Sequence, residues 1–325
     1  MGLPAENLSA EKIKRRWNGK WKMRFIFGRG MVSDDTEHTL MVAQALLEHP
    51  EDACKFQRLL AWKFRWWFIG LPAGVGLATA RACIKLWLGF PAIKSGVTSG
   101  GSGPAMRSAI IGAYFAENSE KRKKFVLASS RLTHRSWQAD TAALAVANGG
   151  CPDFTAAIPI LKSLSSEPEW QRTVSEMDAS LNNEHSVAEF ARRMGLERAV
   201  TGYSLHVVPV AIYAWLRHSS DFRAALSAAL DCGGDTDTVG AVVGPLAGAS
   251  SGKDCIPTEW LNALWEWPRS TSVIERIADR LSAQNSITQR LGPVHYFWPA
   301  QIFRNLVFFI TVLIHGFYRL LIFWK

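Results

Sequence analysis

The chain has 325 residues, 48% of them apolar and 20% charged, with a formal net charge of +9. That length suits one large domain or two small ones with an ample core, and that share of charge excludes a polytopic membrane protein and a disordered chain. Five cysteines (Cys54, Cys83, Cys151, Cys232, Cys255), odd in number and without a CxxC pair, argue against a disulfide framework or zinc site and read as reduced, mostly buried thiols of a cytosolic protein. The positive charge suits anionic partners (nucleotide phosphates, nucleic acid or acidic lipid headgroups) or simply a basic soluble surface. The first 22 residues are polar and charged, without the apolar stretch of a secretory signal.

Residues 11–16 suit a short helix within a basic, irregular start. Asp34 reads as the N-cap of the next helix and Glu37, three residues on, as its capping-box partner. Leu40, Ala43 and Leu47 follow at helical spacing, and Pro50 lies past the end. Residues 54–70 form a basic aromatic helix carrying Phe56, Trp62, Phe64, Trp66 and Trp67. Interleaved cations suggest nucleic acid, but one buried aromatic face with snorkelling cations accounts better for the pattern. Another helix is expected over 74–88. Residues 95–107, rich in Gly and Ser, make a loop running into a small-residue helix over 105–116. Backbone N–H groups ahead of a helix form an anion nest, yet the loop lacks both the Gly-Lys-Ser/Thr of a Walker loop and βαβ surroundings.

Further helices are expected over 121–128, 138–148, 167–182 and 187–194 (stopped by Gly195), and from Gly202-Tyr203-Ser204 through His218, where Val208, Ile212 and Trp215 form the apolar stripe. The helix over 221–230 has Ser220 as N-cap and Gly233 past its end. Then comes Gly233-Gly234-Asp235-Thr236-Asp237-Thr238, opening a helix from Thr238 that carries Gly240, Gly244 and Gly248 and kinks at Pro245. Helices over 259–265 and 271–282 follow. No alternating strand pattern occurs, so the expected fold class is all-α, a compact helical bundle over residues 1–295. Residues 296–325 form an aromatic tail without an acid, and its apolar run 306–314 is too short to span a bilayer cleanly. Arg304, Thr311, His315 and Arg319 share one face of that tail. It suits an interfacial helix on an anionic membrane, or an amphipathic helix packed on the bundle or on another subunit.

Two oxygen-rich clusters stand at helix starts: Ser33-Asp34-Asp35, and Asp235 with Asp237 and Thr238. Alone, either would be capping chemistry. Four carboxylates share a small space only when cations compensate their repulsion, so convergence of the two starts would make a two-metal site with hard oxygen ligands.

The motifs, in order, resemble those of a known family. Ser33-Asp34-Asp35-Thr36 looks like (Thr/Ser)-Asp-Asp-Thr, and Gly101-Ser102-Gly103-Pro104-Ala105-Met106-Arg107 like Gly-x-Gly-x-Ala-Met-Arg. Leu132-Thr133-His134 resembles a Thr-His motif, and Gly233 to Thr238 is the most specific signature. Together, over residues 2–252, they resemble the ADP-ribosylglycohydrolases, the family of dinitrogenase-reductase-activating glycohydrolase. The resemblance implies an orthogonal helical bundle with two magnesium (or manganese) ions at the floor of a cleft. Their ligands would be Ser33, Asp34, Asp35, Asp235, Asp237 and Thr238, with Asp34 or Asp35 as the catalytic base. It also implies that Gly101, Ser102, Gly103, Pro104, Ala105 and Met106 hold a diphosphate, that His134 touches the substrate, and that Tyr203 borders the adenosine. Glu6 stands where the family often places an acid near the substrate. The implied reaction is hydrolysis at ribose C1″, releasing ADP-ribose from a modified protein side chain or a small ADP-ribose conjugate. Carboxylates suit the positive charge that builds on the sugar. Nucleic acid is not an expected partner, and the expected place is the cytosol, with the tail at the inner face of a membrane as one option.

Members of the family begin with a small-residue helix ending in Gly-Asp-Ala-(Leu)-Gly, and this sequence starts just after that position. The alternative is therefore an ADP-ribose-binding protein with impaired turnover, tethered to membrane or partner by its tail. A terpene-synthase-like reading would need an acid where His38 stands.

Overall fold

The computed structural model describes residues 1–72, 74–150, 153–286 and 291–323. In chain order the helices are α1 (Ala10–Trp17), α2 (Asp34–Glu48), α3 (Ala53–Ile69), α4 (Leu77–Trp87), α5 (Ala92–Ser95), α6 (Ala109–Tyr114), α7 (Ser119–Ser130), α8 (Trp137–Ala147) and α9 (Phe154–Ser163). They continue with α10 (Pro168–Asn182), α11 (Val187–Arg193), α12 (Ser204–Arg217), α13 (Phe222–Leu230), α14 (Thr236–Ser251), α15 (Thr258–Asn262), α16 (Thr271–Ser286) and α17 (Ala300–Phe323). Short 3-10 turns occupy Leu3–Ala5, Ala105–Arg107 and Lys253–Cys255. Among the described residues extended backbone meets only as isolated bridges, so the fold is all-α.

α12 is apolar on every side, and Val208, Ile212 and Trp215 are all buried, as suits the central rod of a bundle. One core forms where it meets α8, α10, α11, α13 and α14. A second core joins α2, α3, α7 and α16 around Phe56, Phe64 and Phe125. The burial of Phe56 and Phe64 contributes roughly 2–3 kcal/mol each. α2 belongs to this second core through Leu40, Ala43 and Leu47, at the positions its periodicity indicated, and that packing holds its N-terminus still.

Several local expectations are corrected. The N-cap residue of α2 is Ser33, with Asp34 and Asp35 as its first helical residues. Glu37 makes no capping box: its buried carboxylate accepts from Trp67 Nε1 at 2.5 Å and Gln301 Nε2 at 2.9 Å and pairs with Arg269. In an apolar setting an ionised donor satisfies a carboxylate far better than an exposed backbone amide does. At α13 Asp221, not Ser220, is the cap, accepting from the Ala224 amide at 2.9 Å. α14 starts at Thr236, two residues earlier than expected, and continues through Pro245 to Ser251. The helix α9, capped by Asp153, was not expected at all.

The aromatic helix α3 is not one buried face. Phe56, Phe64 and Trp67 are inside, whereas Trp62 and Trp66 are exposed. Of the cysteines, Cys83 and Cys232 are buried, Cys255 is half-buried and Cys54 exposed; all four are free, and Cys151 lies outside the described residues. The tail forms the expected helix, 24 residues long and packed on the bundle by its polar face; its apolar stretch, Ala300–Phe317, is longer than the run 306–314, which alone is too short to span. The side chain of Arg319 lies outside those described.

Candidate active site

The signature loop is shaped by two glycines. Gly233 and Gly234 have φ of +72° and +81°, a region that strains any residue with a Cβ. A Cβ on Gly234 would also fall 1.8 Å from the Val200 carbonyl oxygen. Around this turn the Asp235 amide donates to Val200 O at 2.8 Å, and the Gly234 amide to Leu8 O at 2.8 Å. The Asn7 amide donates to Gly234 O at 2.8 Å, so the first residues of the chain are laced to the loop. The turn ends at Asp235, the N-cap position of α14, and delivers Asp237 and Thr238 into the first turn.

The N-termini of α2 and α14 converge there. Asp34, Asp35 and Asp237 each present an oxygen, all within 4.8 Å of one another. Ser33 Oγ donates to Asp35 Oδ2, and the Thr238 hydroxyl stands beside the same carboxylate. Asp35 Oδ1 and Asp237 Oδ1 are buried with no hydrogen-bond partner. Burial, then the charge of Asp35, raises Asp34 well above the ordinary carboxylate range. Burial raises Asp35 to about 7, opposed by the Ser33 hydroxyl. Burial, then the charges of Asp35 and Glu6, raises Asp237. The helix N-termini offset only part of this repulsion, on the order of 1 kcal/mol each.

Orphaned carboxylate oxygens facing like charges are out of place unless a hard cation lies between them. The donor set is therefore fit to hold a divalent metal. Asp235 stands just outside the trio, its Oδ2 directed at Gly202, and its charge also raises its three neighbours. Glu6 is close enough for its charge to act on Asp35 and Asp237. It follows the Leu3–Ala5 turn, which is anchored where Thr236 Oγ1 donates to Gly2 O at 2.9 Å. A cavity of 390 Å³ reaches Ser33, Asp35 and Asp237 from the side of Leu3, α13 and α14.

The Gly-rich loop lies against His134. A Cβ at Gly101 or Gly103 would come to 3.0 Å from that imidazole, and one at Gly100 to 2.7 Å from the Tyr203 ring. Small residues here let the backbone approach both rings. The loop is pinned by backbone bonds from the Ser102 amide to Gly202 O (3.1 Å) and from the Ser204 amide to Gly100 O (2.8 Å). Ser102, Ala105 and Met106 are buried, and Thr39 of α2 donates to Met106 O at 3.2 Å, joining the loop to the helix that carries Asp34 and Asp35. Pro104 lies at the N-terminus of the 3-10 turn.

Arg107 closes this assembly, and only its place in the Ala-Met-Arg motif signalled it. Fully buried, it donates to Gly103 O (2.9 Å), Ser129 O (3.0 Å) and Thr133 Oγ1 (2.7 Å). Thr133 Oγ1 also lies 2.8 Å from His134 Nδ1. Arg107 can only donate, so satisfying every group sends the Thr133 hydroxyl proton to Nδ1 and leaves Nε2–H as a donor. Burial and then Arg107 lower His134 to about 3, so it is neutral at physiological pH. Tyr203 flanks the loop, its hydroxyl donating to Glu169 Oε1 at 3.0 Å. Val200 received no role from the sequence, and Arg107, Thr133 and Gly202 were named there only as parts of motifs or a helix start, because what they contribute is a contact made across the fold.

The profile of the ADP-ribosylglycohydrolases matches residues 1–290. A protein of Archaeoglobus fulgidus described only as uncharacterized is 28% identical over 300 residues, 86% of this chain and 91% of its own length. The ADP-ribosyl-[dinitrogen reductase] glycohydrolase of Rhodospirillum rubrum is 26% identical over 241 residues, 72% of this chain and 74% of its own. A solved structure titled as an ADP-ribosylglycohydrolase-related protein complex superposes with a TM-score of 0.59 at 24% identity, over 89% of this chain and 95% of that one, a likeness of fold.

Proposed function

The chain belongs to the ADP-ribosylglycohydrolase family, and from that premise we propose that it hydrolyses the bond at ribose C1″ of an ADP-ribosylated side chain or small ADP-ribose conjugate, releasing ADP-ribose in the cytosol. The observation that carries the reading is the convergence of the unpartnered Asp35 and Asp237 oxygens with a glycine loop closed by a neutral His134. Two divalent cations, magnesium or manganese, would be held by Ser33, Asp34, Asp35, Asp235, Asp237 and Thr238 and would supply Lewis acidity and orientation of the ribose diol.

The remaining work falls to the chain's own residues. The Gly-rich loop faces the diphosphate with the Gly103 amide as its backbone donor, since the amides of Gly101, Ser102, Ala105 and Met106 are bonded within the protein and Pro104 has none, and Nε2–H of His134 gives the loop a second donor without a charge. Arg107, locked to Gly103, Ser129 and Thr133, holds the loop's shape and places a buried cation behind it. Asp34 or Asp35 takes a proton from the water that attacks C1″. The bond from C1″ to the departing group breaks as the new C–O bond forms, and that proton passes to the departing group. The carboxylate cluster stabilises the positive charge growing on the sugar. Tyr203, beside the loop, suits stacking against the adenosine.

The test is release of ADP-ribose from arginine-linked, serine-linked and O-acetyl substrates with magnesium or manganese, with an Asp237→Asn variant in parallel. Turnover on none of these linkages would sink the proposal, and binding of ADP-ribose without turnover would put the binding-protein reading in its place.

A further inference from the structure

Helix α17 is amphipathic in the reverse sense. Its polar residues Gln301, Arg304, Asn305 and Thr311 are buried, while Phe303, Leu306, Phe309, Ile310, Ile314 and Phe317 face outward. Buried bonds hold it in that orientation. Arg304 forks onto Glu266 with two bonds of 2.8 Å and also donates to Val32 O. Asn305 Nδ2 donates to Gly70 O at 2.6 Å, and His315 Nε2 lies 2.6 Å from Phe25 O. A helix that spends its polar groups on the protein leaves only its apolar face for whatever covers it.

The apolar face continues sideways. Trp298, just before α17, stands edge-on to Trp66 of α3 at 5.8 Å. Trp66 in turn meets Trp62 at 5.8 Å and Trp87 of α4 at 6.1 Å. Leu71, Leu77 and Leu88 extend the exposed apolar surface around α4. Charge is distributed accordingly. Residues 53–116 hold eight Lys and Arg and no acid, and residues 280–325 hold five and no acid. The rest of the chain has 24 Lys and Arg against 28 Asp and Glu. The positive balance of the sequence therefore lies in these two segments; Arg107 and Arg304 among them are buried, while Lys55 (paired with Asp52), Arg58 and Arg81 are exposed on α3 and α4.

We propose that the outer faces of α3, α4 and α17 dock on an anionic lipid bilayer. The inference stands apart from the proposed hydrolysis. Large exposed apolar patches mark interaction surfaces, and tryptophans with cations at the edge are the composition that seats at a headgroup boundary. Anionic headgroups complement a surface whose cations outnumber the two acids at its edge, Asp52 beside Lys55 and Glu48 beside Lys63. A second copy of the chain is a poorer occupant, because a two-fold contact would set this net-positive surface against itself. Crossing the bilayer is also disfavoured, although residues Ala300–Phe317 are long and apolar enough by length and composition. It would strip Arg304, Asn305 and His315 of the bonds just described. The helix, about 36 Å long at 1.5 Å per residue, lies in the plane of the interface instead.

The full chain is mixed with phosphatidylcholine vesicles, with and without phosphatidylglycerol, and bound protein is measured by flotation. Binding to the anionic vesicles, weakened by salt, is expected. Phe303→Glu/Ile310→Glu and, separately, Trp66→Ser/Trp87→Ser should reduce it roughly tenfold or more while leaving circular dichroism and any hydrolysis of a soluble conjugate unchanged. The proposal is overturned if the wild type stays unbound, or if both variants bind as well as it does. It is also overturned if the wild type is a lipid-free dimer that these substitutions dissociate, which would assign the surface to a second copy. Partitioning is read whether or not the protein turns over substrate, so failure here and failure of the hydrolase reading are separable.

Discussion

Asp35→Asn should stabilise the metal-free protein and abolish its response to metal. Asp35 is raised from 3.8 to about 7, and at about 1.4 kcal/mol per pH unit that is about 4 kcal/mol held against folding once the carboxylate ionises. Asparagine removes the charge, keeps an oxygen to accept from Ser33, and turns an amide toward the neighbouring carboxylates. Some of the gain is offset by imperfect geometry, so about 2 kcal/mol should survive. For a chain of 325 residues the entropy of unfolding is about 0.7 kcal/mol per K, so Tm rises by about 3 °C. The assay is calorimetry or fluorescence melting in chelator from pH 5 to 8. The folded protein keeps protons that the unfolded chain has released, so the Asp35 contribution makes wild-type stability fall as pH rises from about 4 to 7. The variant lacks that part of the slope. In the wild type, magnesium or manganese at a hundred times its Kd should restore about 2.7 kcal/mol, and in the variant much less. If Asp35→Asn lowers the metal-free Tm, or responds to metal as the wild type does, Asp35 is neither under repulsion nor a ligand.

Gly234→Ala combines a positive φ with a Cβ 1.8 Å from Val200 O, so it should cost about 3 kcal/mol or more and lower the urea midpoint. Arg304→Met leaves Glu266 buried with only the Val32 amide at 2.9 Å, a loss of about 3–5 kcal/mol by thermal melting, which Arg304→Met/Glu266→Gln should largely recover. His38 and His134 are both held well below the ordinary histidine range by burial, so they stay neutral while the unfolded chain charges. Stability should then decline below about pH 6.5 with a slope of up to about 2.7 kcal/mol per pH unit, and His38→Phe should halve it. If that variant acidifies with the wild-type slope, His38 is not buried in its neutral form.

Helix positions were legible because apolar spacing is local: the residues that periodicity marks in α2 and α12 are all buried, although both helices are buried nearly all round. Glu37 shows where local reading stops. Three residues after Asp34 it looks like a capping acid, and only the approach of Arg269, more than two hundred residues on, makes it a buried ion-pair partner. Helix α9 escaped although Ala157, Ile158 and Leu161 lie on one buried face, because Pro159 stands inside it and proline argues locally against a helix interior.

Residue types alone set the chemistry available to this protein: the oxygen donors, the glycine turn, the loop and its histidine, each stated within a few positions of the chain. Tertiary structure decided what those residues face. Two carboxylate clusters two hundred residues apart become a crowded trio only because α2 and α14 converge, and Arg107 acts on His134 only because Thr133 stands between them. The same holds for the tail. Its amphipathic pattern was plain, but which face turns inward depended on Glu266, Gly70 and Phe25 waiting on the bundle. Buried charges and amides must find partners, and the partners' positions are a property of the whole chain.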